Sequence, residues 1–133
     1  MGFEIEDILK WQKEVTGIKK YHDLGYKGKG ITVLNHENTE HGKKALSIIK
    51  EIAPEATFIE AEVSQMADSK KLYKYNWKIN GNTYTFDEVM KEFKPDIISV
   101  SLSGTDCEER DDLIRPYIER GEVVLCNSAG NDG

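Results

Sequence analysis

The sequence predicts an α/β fold: a mostly parallel sheet with helices on both faces, plus a small β-hairpin. Two observations lead to this prediction. Short β-branched apolar runs alternate with amphipathic stretches along most of the 133 residues, which is typical of parallel strands joined by helices. Between them, the pair Asn80-Gly81 is flanked by alternating aromatic residues and matches the preferred type I′ hairpin turn. The length suits a single domain, 1–133, in which 1–20 form a helix and connector and 21–133 form the core.

The first half of the chain predicts a helix, a connector and a strand–loop–helix unit. Residues 4–15 place apolar side chains, Val15 among them, on one side of a helix that we expect to cover the core. Residues 17–30 carry glycines at turn positions and are expected to form a connector. The stretch 30–52, GITVLNHENTEHGKKALSIIKEI, indicates a buried strand, an all-polar loop and an amphipathic helix. A weaker strand is predicted over 57–63.

The hairpin is the clearest local signal in the second half. A two-residue turn at Asn80-Gly81 pairs Trp77 with Tyr84, and it would pair Tyr75 with Phe86. Both aromatic pairs then lie on one face of the hairpin. We expect that face to pack against the domain, although it could also contact a ligand.

Two further helices and two further strands complete the prediction. Thr85 and Glu88 have the spacing of a capping box and would open a short helix. Pro116 lacks a backbone N–H and fits best near the start of a helix, so the last helix is expected to begin at Asp112. The elements in order are a helix ending at Phe93, a strand over 97–102, a helix over 112–120 and a strand over 122–127.

Composition and charge exclude several classes of function. The net charge is −6 and the Lys and Arg residues are dispersed, so neither nucleic acid nor a membrane is an expected partner. No apolar run approaches the roughly 20 residues of a membrane span, and the acidic start is unlike a secretory signal. Cys107 and Cys126 form no metal spacing and no disulfide framework, and Cys126 is expected to be buried. A cytoplasmic, reducing setting fits best.

No cofactor and no metal are expected. The chain has neither a GxGxxG motif after a strand nor a P-loop motif. His36, Glu37, Glu40 and His41 are residue types that bind metals, but their spacing differs from HExxH. A solvated acidic loop is the favoured interpretation of this cluster.

Two residues have positions that suit catalysis. His41 lies where the polar loop becomes a helix, and the helix N-terminus together with Lys43 and Lys44 favours the neutral imidazole of a general base. Asn131 lies on a glycine-flanked turn after the last strand, where its amide could donate to developing negative charge. The alternative for Asn131 is a simple Asn-Asp-Gly turn.

From Tyr21 to Gly133 the sequence resembles the subtilisin-like serine proteases, or subtilases. YKGKGITVLN resembles the family's first strand, which ends in the catalytic Asp, and EHGKKALSIIKEIAPEATFIEAEV resembles its HGT helix, following turn and next strand. KPDIISVSLSG is similar to the substrate-cleft strand, and GEVVLCNSAGNDG is similar to the oxyanion segment. The resemblance implies roughly the N-terminal half of a subtilase catalytic domain.

The resemblance also implies roles for individual residues. His41 corresponds to the general base and Asn131 to the oxyanion donor. An extended peptide or protein substrate, the implied partner, would pair with the substrate strand through backbone hydrogen bonds. The residues at the substrate-strand positions are Ser101, Leu102, Ser103 and Gly104.

Two departures from the family affect catalysis. Asn35 stands where the family has the catalytic Asp, which holds the histidine tautomer and stabilises imidazolium. Glu37 or Glu40 could instead supply a carboxylate from the loop. The family's serine motif lies well beyond the oxyanion asparagine and is not among these residues, so the chain alone is expected to be inactive.

Three functions therefore stay open. The first is a serine endopeptidase that needs a serine-bearing part, and the second is a pseudoprotease that binds peptides or regulates, which Asn35 favours. The third is an unrelated doubly wound domain that binds a small ligand. A parallel sheet cut halfway has an open edge strand, so we also expect the chain alone to self-associate or to bind the missing half.

Overall fold

The structure is a computed structural model, and it describes residues 5–36, 40–62, 77–100 and 108–127. Within these ranges, helices and strands combine in an α/β arrangement, as predicted. The helices are α1 (Ile5–Thr16), α2 (Ile18–Asp23), α3 (Glu40–Ile52), α4 (Phe86–Phe93) and α5 (Glu108–Glu119). The strands are β1 (Thr32–Asn35), β2 (Thr57–Glu60), β3 (Trp77–Ile79), β4 (Asn82–Tyr84), β5 (Ile97–Val100) and β6 (Val124–Asn127).

Four of the strands form the predicted parallel sheet, in the order β2-β1-β5-β6. Leu34 in β1 is in register with Ile59 of β2 and with Ile98 of β5. Ile98 is in turn in register with Leu125 of β6. Since residues in register on parallel strands point to the same side, these four side chains form one apolar row across the sheet.

This apolar row faces the hydrophobic core. The core combines the row with side chains from the hairpin and from α4 and α5. Its buried members are Leu34, Ala61, Trp77, Ile79, Phe86, Val89, Met90, Ile98, Val100, Ile114 and Val123. The hairpin face that carries Trp77 therefore packs against the domain, as predicted.

The opposite face of the sheet is covered unevenly. Val33 and Asn35 are buried there, and the Asn35 amide donates to the carbonyl oxygen of Gly42 in α3. Helices therefore lie on both faces, with α3 on this one and α4 and α5 on the other. Toward β6 the face is open, since Val124 is 59% exposed and Cys126 is exposed. The prediction that Cys126 is buried is wrong, because none of the described helices covers this end of the face.

The N-terminal helix is present, but its described side chains do not enter the core. α1 contacts α2 and α3, and Lys13 forms a salt bridge with Glu51 of α3. Val15, which the pattern placed on the apolar side, is exposed, as is Trp11. The described part of α1 therefore lies against α3 at the surface of the domain.

The connector before β1 contains the short helix α2, which the glycine pattern did not predict. Gly28 in this connector has a φ of +87°, and a Cβ there would lie 2.9 Å from the Ala53 Cβ and 3.1 Å from the Ala56 Cβ. Only glycine therefore allows the segment that leads into β1 to pack against the turn that follows α3.

The hairpin has the predicted turn and register. Asn80 and Gly81 have φ angles of 52° and 83°, and positive values at both positions are the mark of a type I′ turn. Trp77 pairs with Tyr84 across the two strands. The predicted pairing of Trp77 with Tyr84 is thus confirmed.

The capping box that opens α4 is also confirmed. The Glu88 N–H donates to Thr85 Oγ1, and the Thr85 N–H donates to the Glu88 carboxylate, each at 3.2 Å. Because Phe86 is the first residue of this helix, it does not extend β4. The predicted strand pair of Phe86 with Tyr75 is therefore wrong, and Tyr75 itself lies outside the described residues.

The last helix begins at Glu108, four residues earlier than predicted, and contains Pro116 in its interior. The proline removes one helical hydrogen bond. Residues on both sides of it compensate: Ile114 is buried in the core, and the Tyr117 hydroxyl donates to Asp87 of α4. Tertiary packing therefore holds the helix across a residue that disfavours it.

Candidate active site at the carboxyl edge of the sheet

The carboxyl ends of β1 and β5 lie side by side in the middle of the sheet. The chain passes from β1 through α3 to β2 on one side, and from β5 through α5 to β6 on the other. Open parallel sheets bind their ligands where the direction of the connections reverses in this way. The segments that follow β1, β5 and β6 all begin at this edge.

Asn35, the last residue of β1, is fully buried at this edge. Its Nδ2 donates to the carbonyl oxygen of Gly42 over 3.2 Å. Gly42 follows His41 in the first turn of α3, which begins at Glu40. The fold therefore joins the position that the resemblance assigns to the acid with the backbone beside the candidate base.

The other residues assigned to catalysis or substrate binding lie wholly or partly outside the described residues. The His41 side chain is outside the described part of the structure, although its backbone lies in α3. β5 ends at Val100 and β6 at Asn127, short of the predicted substrate and oxyanion segments. The predicted residues outside the described ranges are Glu37, Ser101, Leu102, Ser103, Gly104 and Asn131.

His36 is buried rather than part of a solvated loop, so that prediction is wrong for this residue. Its backbone N–H donates to the Ser99 carbonyl oxygen over 2.9 Å, which extends the pairing of β1 with β5. Its ring stacks on Trp77, with centroids 4.0 Å apart and an interplanar angle of 27°. Sequence reasoning missed this role because the partner lies in a distant hairpin, although Trp77 itself was expected to pack inward.

Burial also determines the charge of His36. Removal from water lowers the pKa of the imidazole from 6.5 to about 4. The ring is therefore neutral at pH 7 and brings no charge into the core. His36 thus connects the end of β1 to the hairpin, next to the candidate site.

We expect acid to destabilise the protein through His36. The folded-state pKa of about 4 is below the ordinary 6.5, so the unfolded chain takes up the proton first as the pH falls. The contribution of the neutral His36 to the free energy of unfolding is fully present above pH 6.5 and is lost as the pH falls toward 4. The loss amounts to at most about 3 kcal/mol, because one pKa unit corresponds to about 1.4 kcal/mol. Urea unfolding at pH 7.0 and 4.5 measures it.

Two variants isolate this effect from the titration of carboxylates. His36→Phe keeps an aromatic ring against Trp77 and should lose less stability on acidification than the wild type. His22→Gln, in which a side-chain donor to the Ile52 carbonyl oxygen is kept, controls for the loss of a histidine side chain as such. If His36→Phe retains the full pH dependence, another group is responsible and the prediction is wrong.

Other features of the described ranges bear on ligands. In those ranges no group of three or more His, Cys, Asp or Glu side chains is placed to hold a metal ion. Glu40, from the cluster of potential ligands, is exposed at the start of α3. None of the helices in the same ranges has the length and apolarity needed to cross a membrane.

Neither the models of known protein families nor the curated proteins contain a match to this chain. Its function is therefore inferred from its own residues and their arrangement.

Proposed function

We propose that this chain contributes the N-terminal part of a subtilase-like domain, with His41 as the general base of serine-type peptide-bond hydrolysis. The observation that supports it most is the hydrogen bond from the Asn35 amide to the Gly42 carbonyl oxygen. This bond ties the end of β1 to the first turn of α3, next to His41. A domain with this chemistry needs those two positions side by side.

The strand order supports the same proposal. His41 follows β1, the proposed substrate strand 101–104 follows β5, and Asn131 follows β6. The three strands are parallel neighbours, so their following segments begin at one edge. In the proposed reaction His41 takes a proton from a serine supplied from outside these residues, and the Asn131 amide donates to the oxyanion. An extended peptide substrate pairs with 101–104.

The chemistry of Asn35 favours a second candidate function, a pseudoprotease that binds peptides without cleaving them. The amide donates to the Gly42 carbonyl oxygen, whereas an ionised Asp has no proton to donate there. Asn35 thus makes a structural bond that the family's carboxylate cannot make. The peptide cleft would then serve binding or regulation.

A serine-directed fluorophosphonate probe distinguishes the two functions. The chain alone should not be labelled, and the protein in which a serine-bearing segment accompanies it should be labelled. His41→Ala should reduce that labelling by about 10²–10⁴-fold, the usual contribution of a general base. The control His22→Gln, in α2, keeps a side-chain donor for the Ile52 carbonyl oxygen at the end of α3 and should label like the wild type.

The remaining outcomes separate the candidates. Absence of labelling, together with binding of an extended peptide that competes at the carboxyl edge of the sheet, would support the pseudoprotease. Absence of both labelling and peptide binding would contradict both functions and leave the small-ligand domain.

We also propose a reducing, cytoplasmic setting. Cys126 is an exposed free thiol, which a reducing compartment preserves.

A further inference from the structure

The outer edge of β2 borders a groove at the end of the sheet opposite to β6. The groove has a volume of about 400 Å³ and lies between α3, β2, the hairpin turn and the end of α4. Its walls include Lys50, Ile59, Glu60, Lys78 and Phe93. Of the candidate active site the structure describes Asn35 and Gly42, and neither of them lines this groove.

The backbone N–H and C=O groups of successive residues in β2 point alternately toward β1 and toward this groove. The Thr57 N–H donates to the Ile31 carbonyl oxygen, and the Ala61 N–H donates to the Asn35 carbonyl oxygen. Residues at odd positions of this segment therefore bond to β1. In a parallel pair, the N–H and C=O of the intervening residues point to the other side. That side is the outer edge, which faces the groove.

The hairpin already uses one position of this outer edge. The Glu62 N–H donates to the Lys78 carbonyl oxygen over 2.7 Å, in an antiparallel bridge between the two residues. Among the described residues, the bridge stops there, and no strand pairs with the outer edge at Phe58 and Glu60. The edge beside the groove therefore offers two N–H and two C=O groups in the geometry that an added strand requires.

An added strand would direct alternate side chains to two different walls. On the core side the wall is apolar, because Ile59 and Phe93 pack against the core there. Phe58 and Glu60 face the other side, where the Lys50 ammonium lies 5.7 Å from the centre of the Phe58 ring. A suitable ligand therefore carries an apolar side chain on one face and a polar one on the other.

The charge pattern indicates which polar side chain fits. Where the edge is already paired, Glu62 lies opposite Lys78, with their charged atoms 3.7 Å apart. Glu60 lies two residues before Glu62, so the two side chains are on the same face of the strand. The Glu60 side chain is exposed. The groove also holds two lysines, but Lys78 is paired with Glu62 and Lys50 lies over the Phe58 ring. Glu60 is therefore the charged side chain with which an opposite charge on an added strand would pair.

We propose that this groove binds an extended peptide of alternating basic and apolar residues, which adds to β2 as a further strand. A basic side chain lies opposite Glu60, and an apolar side chain packs on Ile59 and Phe93. The four residues of β2 extend about 13 Å, so a short linear segment fills the site.

Fluorescence anisotropy with the labelled pentapeptide Lys-Val-Lys-Val-Lys tests this site. It should bind about tenfold more tightly than Glu-Val-Glu-Val-Glu, which reverses the charge, and than its own backbone N-methylated form, which lacks the N–H donors of both edges. Glu60→Lys should weaken binding about tenfold. The matched control Glu119→Lys changes the charge equally at an exposed site in α5 and should bind like the wild type.

Amide hydrogen exchange shows whether a strand has been added. Binding of Lys-Val-Lys-Val-Lys should protect the amides of Phe58 and Glu60, while those of Thr57 and Ala61 are bonded to β1 beforehand. Equal affinity for the three peptides, or no new protection at Phe58 and Glu60, would overturn the proposal. If Glu60→Lys does not fold, the peptide comparison and the exchange data on the wild type still decide.

The same measurements identify a competing occupant. If light scattering shows a dimer without peptide, and the amides of Phe58 and Glu60 are protected in that dimer alone, a second copy fills the groove. That result would overturn the assignment to a basic peptide.

Discussion

Replacing Trp77 by alanine should lower the free energy of unfolding by about 4 kcal/mol, as expected for a large aromatic residue removed from a core. The side chain is fully buried and contacts the rings of two described residues. It stacks on His36 at a centroid distance of 4.0 Å and meets Phe86 at 5.6 Å. The Trp77 ring joins the hairpin to the end of β1 and to α4. Its removal loses the apolar burial and leaves a cavity between these three elements.

The other tryptophan of the chain provides the matched control. Trp11 is 63% exposed on α1, so Trp11→Ala should change the free energy of unfolding by less than about 0.5 kcal/mol. Trp77→Phe keeps a ring and should fall between the wild type and Trp77→Ala. Urea unfolding followed by circular dichroism measures all three variants. If Trp77→Ala lowers the free energy of unfolding no more than Trp11→Ala does, the hairpin does not belong to the core.

The second large effect is expected at Asn35. At pH 7, Asn35→Asp should lower the free energy of unfolding by about 3 kcal/mol, because it buries a carboxylate against the Gly42 carbonyl oxygen in place of a donor. Protonation restores a donor, so the difference from the wild type should shrink as the pH falls. Asn82→Asp makes the same change at an exposed position of β4 and should cost less than about 0.5 kcal/mol. An equal effect at both positions would contradict the structural role of Asn35.

The same variant separates the two proposed functions when a serine-bearing segment is present. The reverse change, from Asp to Asn, costs about 10⁴ in kcat in a well-studied serine protease. If the chain belongs to a peptidase, Asn35→Asp should therefore raise kcat by up to about 10⁴-fold despite its lower stability. A pseudoprotease should show no gain. Loss of activity on Glu37→Gln, without a gain at position 35, would instead indicate that the loop supplies the acid.

Local signals predicted much of the fold. The Asn80-Gly81 turn and the Thr85–Glu88 capping box each depend on a few adjacent residues, and both are confirmed. The parallel sheet followed from the alternation of strands and helices, which requires crossover connections. At the candidate site, Asn35 and Gly42 lie close in sequence, at the end of one strand and the start of the next helix, and a hydrogen bond joins them.

Features that depend on distant partners could not be predicted in this way. His36 looked like one polar residue among several, and only the packing of Trp77 against it explains its burial. Pro116 marked a helix start by local rules, but contacts of α5 with the core allow it inside the helix. Cys126 lies in an apolar run, yet its exposure depends on which elements cover that end of the sheet.

The position of β1 between β2 and β5 has a consequence for synthesis of the chain. β2 is complete at Glu60, whereas β5 is complete only at Val100. At about 5–20 residues per second, a ribosome needs about 2 to 8 seconds to make the intervening segment. During that time the β1–α3–β2 unit presents one bare edge of its central strand together with the apolar side chain of Leu34. An unpaired edge of this kind can pair with other chains, so the nascent chain is exposed to aggregation throughout this interval.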